Sequence, residues 1–142
     1  MKIETLEDCF KLRLLRKINP DLTKSKSSLE IAGTKLKRAQ EALTKELFEA
    51  AVIYSYTAMF HAARALLYRD GIQEKSHYAI LIYLKEKYKD SIPLTIINSL
   101  DIHRIERHDA LYGFEYEANK EDAKSSLEDA KIFLKEIEKI LK

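Results

Sequence analysis

Residues 47–68 read LFEAAVIYSYTAMFHAARALLY, and the fold turns on this stretch. It is apolar nearly all round a helical circle and long enough at 1.5 Å per residue to cross a bilayer. Glu49, His61 and Arg64 stand inside it, however, and groups of that kind point to burial in a helical bundle instead of lipid. The pattern predicts a central helix over 45–69, closed by Asp70-Gly71, where glycine can take the left-handed conformation that ends helices.

Working outward, helical periodicity continues on both sides. Leu6, Cys9, Phe10, Leu14 and Ile18 predict a helix over 4–18, stopped by Asn19-Pro20. Asp21 or Thr23 can cap a second helix to about Leu43, with Leu29, Ile31, Ala32, Leu36, Ala39 and Leu43 as its apolar members and lysines on the other face. Ser76 can cap a helix through Lys89, and Pro93 can open another that ends near Gly113. The last, from about Lys120 to Leu141, repeats apolar residues at threes and fours. Glycine and proline together number five in 142 residues, and no stretch alternates long enough to read as a strand. The expectation is an all-α, up-and-down bundle of five to six helices forming one domain over 1–142.

Composition narrows the function classes. The net charge of +2 does not by itself mark a nucleic-acid binder, although residues 1–45 hold 11 basic against 6 acidic groups. Cys9 is the one cysteine, so no intrachain disulfide forms, and its apolar neighbours predict a buried thiol. Residues 1–20 are too charged for a signal peptide, which makes the cytoplasm the expected location. No glycine-rich phosphate loop, HExxH or cysteine pair occurs, so no metal and no cofactor is expected.

The densest polar cluster is RIERHDALYG, residues 104–113. Steps of 100° put Arg104 and His108 on one helical face and set Arg107 about 140° from Tyr112. Arg107 either bridges Glu106 or Asp109 at a helix end, or presents its planar fork to an anion. The central helix carries a second polar stripe: Tyr54, Thr57, His61, Arg64 and Tyr68 span about 80°. That stripe is either an internal network, with Arg64 neutralised by Asp101 or Glu106, or the lining of a cleft beside Arg104 and Arg107. His77, just after Ser76, reads as a hydrogen-bonding group at a helix start.

Tyr54–Leu67 (YSYTAMFHAARALL), a short glycine turn, Ser76-His77 and then RHDALYG at 107–113 together resemble the HEPN-domain family of small prokaryotic helical proteins. The resemblance spans roughly residues 25–140. It implies helical bundles that pair as homodimers, many of them metal-independent ribonucleases acting as toxins beside a separately encoded minimal nucleotidyltransferase. The family's nuclease signature is an arginine, a polar residue, three variable residues and a histidine. Arg107 and His108 match its start, and Tyr112 stands where the histidine is expected. An imidazole titrates near neutral pH, whereas a phenol near 10 stays protonated, so the exchange removes the usual proton carrier.

Three readings follow. In the first, the chain is a binding module of a toxin–antitoxin-like pair: Arg104, Arg107, Arg64 and His61 hold RNA or a nucleotide, and the minimal nucleotidyltransferase is the partner. In the second, it is a metal-independent endoribonuclease in which Arg107 stabilises the phosphorane and Tyr112 or His108 moves the proton. In the third, it is a purely structural helical dimer. In some proteins of this arrangement the partner nucleotidylates a tyrosine beside the motif, which makes Tyr112 and Tyr116 the candidate acceptors here.

Overall fold

The structure is a computed structural model and describes residues 2–113 and 116–142. Six helices dominate it, in the order α1 (Leu6–Lys11), α2 (Leu22–Thr44), α3 (Phe48–Asp70), α4 (His77–Lys87), α5 (Leu94–Tyr112) and α6 (Lys120–Leu141). The all-α bundle expected from periodicity is therefore the architecture observed, and α6 begins and ends at the predicted residues. Asp21, Ser76 and Asn119 each accept a backbone N–H at the third helical position, which fixes the starts of α2, α4 and α6.

The N-terminal segment differs from the expected helix over 4–18. α1 is capped by Thr5 and stops at Lys11, and Arg13 adopts a left-handed φ of 57°. There Arg13 N–H donates to Phe10 O and Leu14 N–H to Cys9 O, which turns the chain out of the helix. Leu15–Lys17 then form a short strand, β1, antiparallel to β2 (Ile72–Glu74) in the register Leu15 to Glu74. The pairing satisfies backbone groups of the link between α3 and α4, and Leu15 drives it by burying completely in the core. Cys9 is buried and free, as its setting predicts.

α3 is the axis of the bundle. Ala51, Ala58, Ala62, Ala63 and Ala65 are fully buried along it, and their small side chains let α2 and α6 approach closely. Phe133, Leu134 and Ile137 of α6, Ile97 and Leu100 of α5, and Ile80 and Leu84 of α4 close around Met59, Leu66 and Leu67. Gly71 ends α3 at φ 79°, where a Cβ would stand 2.7 Å from Ile18 O, so only glycine fits the junction with the strap. Among the described residues no helix is long and apolar enough to cross a membrane. The tight turn after α3 delivers the start of α4 back onto α3, and α5 packs on both. That junction carries the site.

Candidate functional site

Tyr56 and Phe60 lie one turn apart on α3 and meet His77, the first residue of α4. The Tyr56 hydroxyl and His77 Nδ1 are hydrogen-bonded at 2.7 Å, and the imidazole stacks on Phe60 with centroids 4.2 Å apart. From α5 the Arg107 guanidinium reaches over the Tyr56 ring, 6.0 Å from its centre. It is half-buried, and among the described residues no carboxylate stands within ion-pairing distance of it. Neither Glu106 nor Asp109 neutralises it: Glu106 turns toward α6 and Asp109 lies 3.8 Å from His108 Nδ1. Arg104, one turn earlier, binds Asp101 through Nε at 2.8 Å and sits over the exposed Tyr78 ring. Two guanidiniums thus stand over aromatic rings where α3, α4 and α5 meet, and this Arg104–Arg107 surface suits phosphate oxygens, with the exposed Tyr78 ring open to a stacked base.

Charge and burial shape the titrating groups there. Burial, then the positive charges of Arg107, Arg104 and Arg64, hold His77 below its ordinary pKa, so the ring is neutral at physiological pH. Burial pushes the Tyr56 phenol well up, against the opposing pull of Arg104 and Arg107. The cleft thus pairs fixed positive charge with a neutral imidazole.

Arg64 finds a partner other than the Asp101 or Glu106 expected from sequence. Both of those acids are engaged elsewhere, with Arg104 and with Ser126. Instead Arg64 Nε stands 2.9 Å from Glu74 Oε1 on β2, near enough for an ion pair but without the alignment of a hydrogen bond. The guanidinium also lies 5.4 Å from the Phe60 ring centre and 5.5 Å from that of Tyr68. Phe60 therefore separates His77 from Arg64. His61 packs edge-on against the Phe60 ring, centroids 5.3 Å apart, and also feels the charge of Lys35 from α2. Burial, then Arg64, Lys35 and His77, lower its pKa, and its Nδ1 is buried without a hydrogen-bonding partner. The predicted stripe thus splits: Arg64 and His61 both border the Phe60 ring, while Tyr54 meets α2, where Lys35 lies over its ring.

Tyr112 and Arg107 do not meet within the subunit. α5 runs as regular helix to Tyr112, so the two keep the wide angular separation that helical geometry imposes. Tyr112 is 67% exposed, with its ring 5.1 Å from that of the equally outward His108. Tyr116 is the opposite case. Its hydroxyl is buried without a partner, and burial, then the surrounding acids led by Glu106, push its pKa up to about 12.

Sequence reading missed His103. It is 3% exposed on α5 and donates from Nε2 to Asp129 Oδ2 at 2.7 Å. On its other side Nδ1 lies 3.4 Å from Ser126 Oγ, and that hydroxyl donates to Glu106 Oε1 at 2.6 Å. With both ring nitrogens facing acceptors, the arrangement suits an imidazolium. Burial works against the charge, but the Glu106 and Asp129 carboxylates outweigh it and raise the His103 pKa. Ser126 gives its proton to Glu106, so this serine–histidine–aspartate grouping is a buried clamp between α5 and α6 and not a nucleophile with its base. A second clamp joins Asp70, Tyr83, Tyr88 and Arg69, which also donates to Ile140 O. The only sequence signal for either is a polar residue in an apolar helical phase.

Among the described residues no group of three or more histidine, cysteine or acidic side chains is placed to hold a metal ion. A cavity of about 450 Å³ opens at the start of α3 beside Glu46, Glu49 and Glu117, where negative charge repels phosphate.

Comparison with known proteins bears on the same residues. The family model described as the HEPN domain matches residues 25–140, which includes every element of the cleft. The chain is 28% identical over 134 residues to "Putative toxin MJ0605" of Methanocaldococcus jannaschii, an alignment covering 88% of this chain and 95% of that protein.

Proposed function

The chain belongs to the HEPN-domain family, and from that premise we propose that it is the toxin-like member of a two-protein module, binding RNA through the Arg104–Arg107 cleft. The observation that carries this reading is Arg107: a half-buried guanidinium over an aromatic ring, with no carboxylate among the described residues to neutralise it. Holding such a charge partly out of water is costly unless an anion completes the site. Arg104 supplies a second positive group, and the exposed Tyr78 ring beside it offers a stacking surface for a base. Arg64 extends the positive potential along Phe60. His61 borders the same cluster through its edge-on contact with Phe60. The name carried by the Methanocaldococcus jannaschii relative agrees with a toxin-like role.

The partners in this reading are a second copy of the chain and a minimal nucleotidyltransferase. Support for the copy comes from α5, where Leu94, Ile102 and Ile105 lie exposed on one face. A copy seated there brings a second motif close to the first. The nucleotidyltransferase acts on Tyr112, whose hydroxyl is open, in preference to Tyr116, whose hydroxyl is buried. The test is fluorescence anisotropy with a short single-stranded RNA across a salt series. Arg107→Ala should weaken binding by about 10- to 100-fold, the effect of one charge-assisted hydrogen-bonded contact, and should flatten the salt slope. Equal affinity in wild type and Arg107→Ala removes the proposal.

A further inference from the structure

We infer that His77, which lies outside the arginine motif, is the proton-transferring residue of this cleft and that it gives the chain metal-independent RNA-cleaving activity. The inference deepens the RNA-binding reading and rests on it. The geometry is that Tyr56 bridges two functions: its ring lies under Arg107 and its hydroxyl bonds His77 Nδ1 at 2.7 Å. The guanidinium and the imidazole of one subunit therefore converge on the same tyrosine, so that RNA held by Arg107 can bring a 2′-hydroxyl to His77 Nε2. The alternatives are worse placed. Tyr112 and His108 form an outward pair on another face of α5, and His103 is locked between carboxylates. Among the described residues His77 Nε2 has no hydrogen-bonding partner.

With Nδ1–H donating to the Tyr56 oxygen, Nε2 carries the lone pair. Tyr56 stays a neutral phenol because burial raises its pKa. Burial and the three guanidiniums likewise keep His77 unprotonated and available as a base. Nε2 takes the proton of an RNA 2′-hydroxyl, and the O2′ electron pair forms a bond to phosphorus. Charge builds on the phosphorane oxygens facing Arg107, the P–O5′ bond breaks, and the leaving oxygen takes a proton from water. The imidazolium then returns its proton to the hydroxide so formed. The products are a 2′,3′-cyclic phosphate and a 5′-hydroxyl, with atoms and protons balanced.

The experiment measures binding and cleavage of a 5′-labelled single-stranded RNA by the full chain in EDTA, alongside the 2′-deoxy oligonucleotide. His77→Asn should bind RNA within about twofold of wild type and cleave at least about 100-fold more slowly, the lower range for loss of a general base. The wild-type rate should rise with pH through an apparent pKa below the ordinary imidazole value, and that limb should vanish in the variant. Tyr56→Phe keeps the ring and loses only the hydroxyl. If His77→Asn fails to fold, this second variant decides, with cleavage expected to fall about tenfold at unchanged binding. Wild-type protein that binds RNA without cutting it overturns the inference and leaves the binding proposal standing. Wild-type protein that binds no RNA overturns both. Cleavage undiminished in the decisive variant, or equal cutting of the deoxy strand, overturns the role of His77.

Discussion

Two tyrosines near the end of α5 lie four positions apart in sequence and differ in what their hydroxyls can do. Tyr112 is exposed beside His108, whereas the Tyr116 oxygen is buried with acids around it and its pKa is pushed to about 12. Transfer of a nucleotidyl group needs the phenol oxygen in line with the attacked phosphorus, and the polyanionic triphosphate of a nucleotide donor meets like charge near Glu106, Asp122 and Glu49. Co-expression with the proposed nucleotidyltransferase partner should therefore add whole nucleotidyl units that map to Tyr112. Intact-mass and peptide mass spectrometry check this: Tyr112→Phe should lose the adduct and Tyr116→Phe should keep it. The reverse pattern, or an unshifted mass in wild type, counts against Tyr112 as acceptor.

The clamp between α5 and α6 makes a prediction that belongs to those elements. His103 has a folded pKa above its ordinary 6.5, so its stabilisation is complete below that value and fades as pH rises through the raised one. Glu106 is shifted the other way: the His103 and Ser126 contacts outweigh burial and hold it below its ordinary 4.5. Its contribution is present above 4.5 and fades as pH falls through the lowered value. Both act fully between 4.5 and 6.5. The difference in melting temperature between wild type and His103→Gln should thus be largest in that interval, about 2–4 °C for a loss of about 1 kcal/mol, and should shrink toward alkaline pH. A constant difference from pH 5 to pH 9 would sink the charged clamp. Elements of this kind were legible in sequence only in part. Caps and three-four periodicity located α2 through α6 because local chemistry decides those boundaries. α1 was overextended because Leu14 and Leu15 continue a helical apolar phase, and only the tertiary bond pattern of the β1–β2 strap overrides it. Polar partners were less legible still. Arg64 pairs with Glu74, across the α3–α4 turn in a three-residue strand that periodicity does not reveal. His77 read as a helix-start group, and its bond to Tyr56 depends on α4 folding back onto α3.

At the scale of the whole molecule, the unfinished feature is the outer face of α5. Leu94, Ile102 and Ile105 are 56%, 61% and 49% exposed and fall within about 80° of one another on the helix. Three large apolar side chains in one row, on a helix whose inner face already packs on α3 and α4, leave an apolar strip exposed to water. A two-fold pairing of such strips buries each against its copy and is the simplest closed assembly. Tyr112 lies about 10 Å beyond Ile105 along the helix axis. In such a pairing it would sit at the edge of the interface, open to the proposed modifying enzyme. The same pairing brings two basic clefts of modest individual charge together, which raises the local potential that draws in RNA. Ile105→Glu should convert a dimer to a monomer, read by light scattering on a sizing column. The helical circular dichroism should be unchanged, because the substituted side chain lies outside the core. RNA affinity should fall with the loss of the second cleft, by more than the single added negative charge accounts for when the salt series is compared with Ile132→Glu, an exposed site on α6 outside the strip. A wild-type chain that elutes as a monomer at tens of micromolar, or an Ile105→Glu chain that remains dimeric, rejects α5 as the pairing surface and leaves each cleft to act alone.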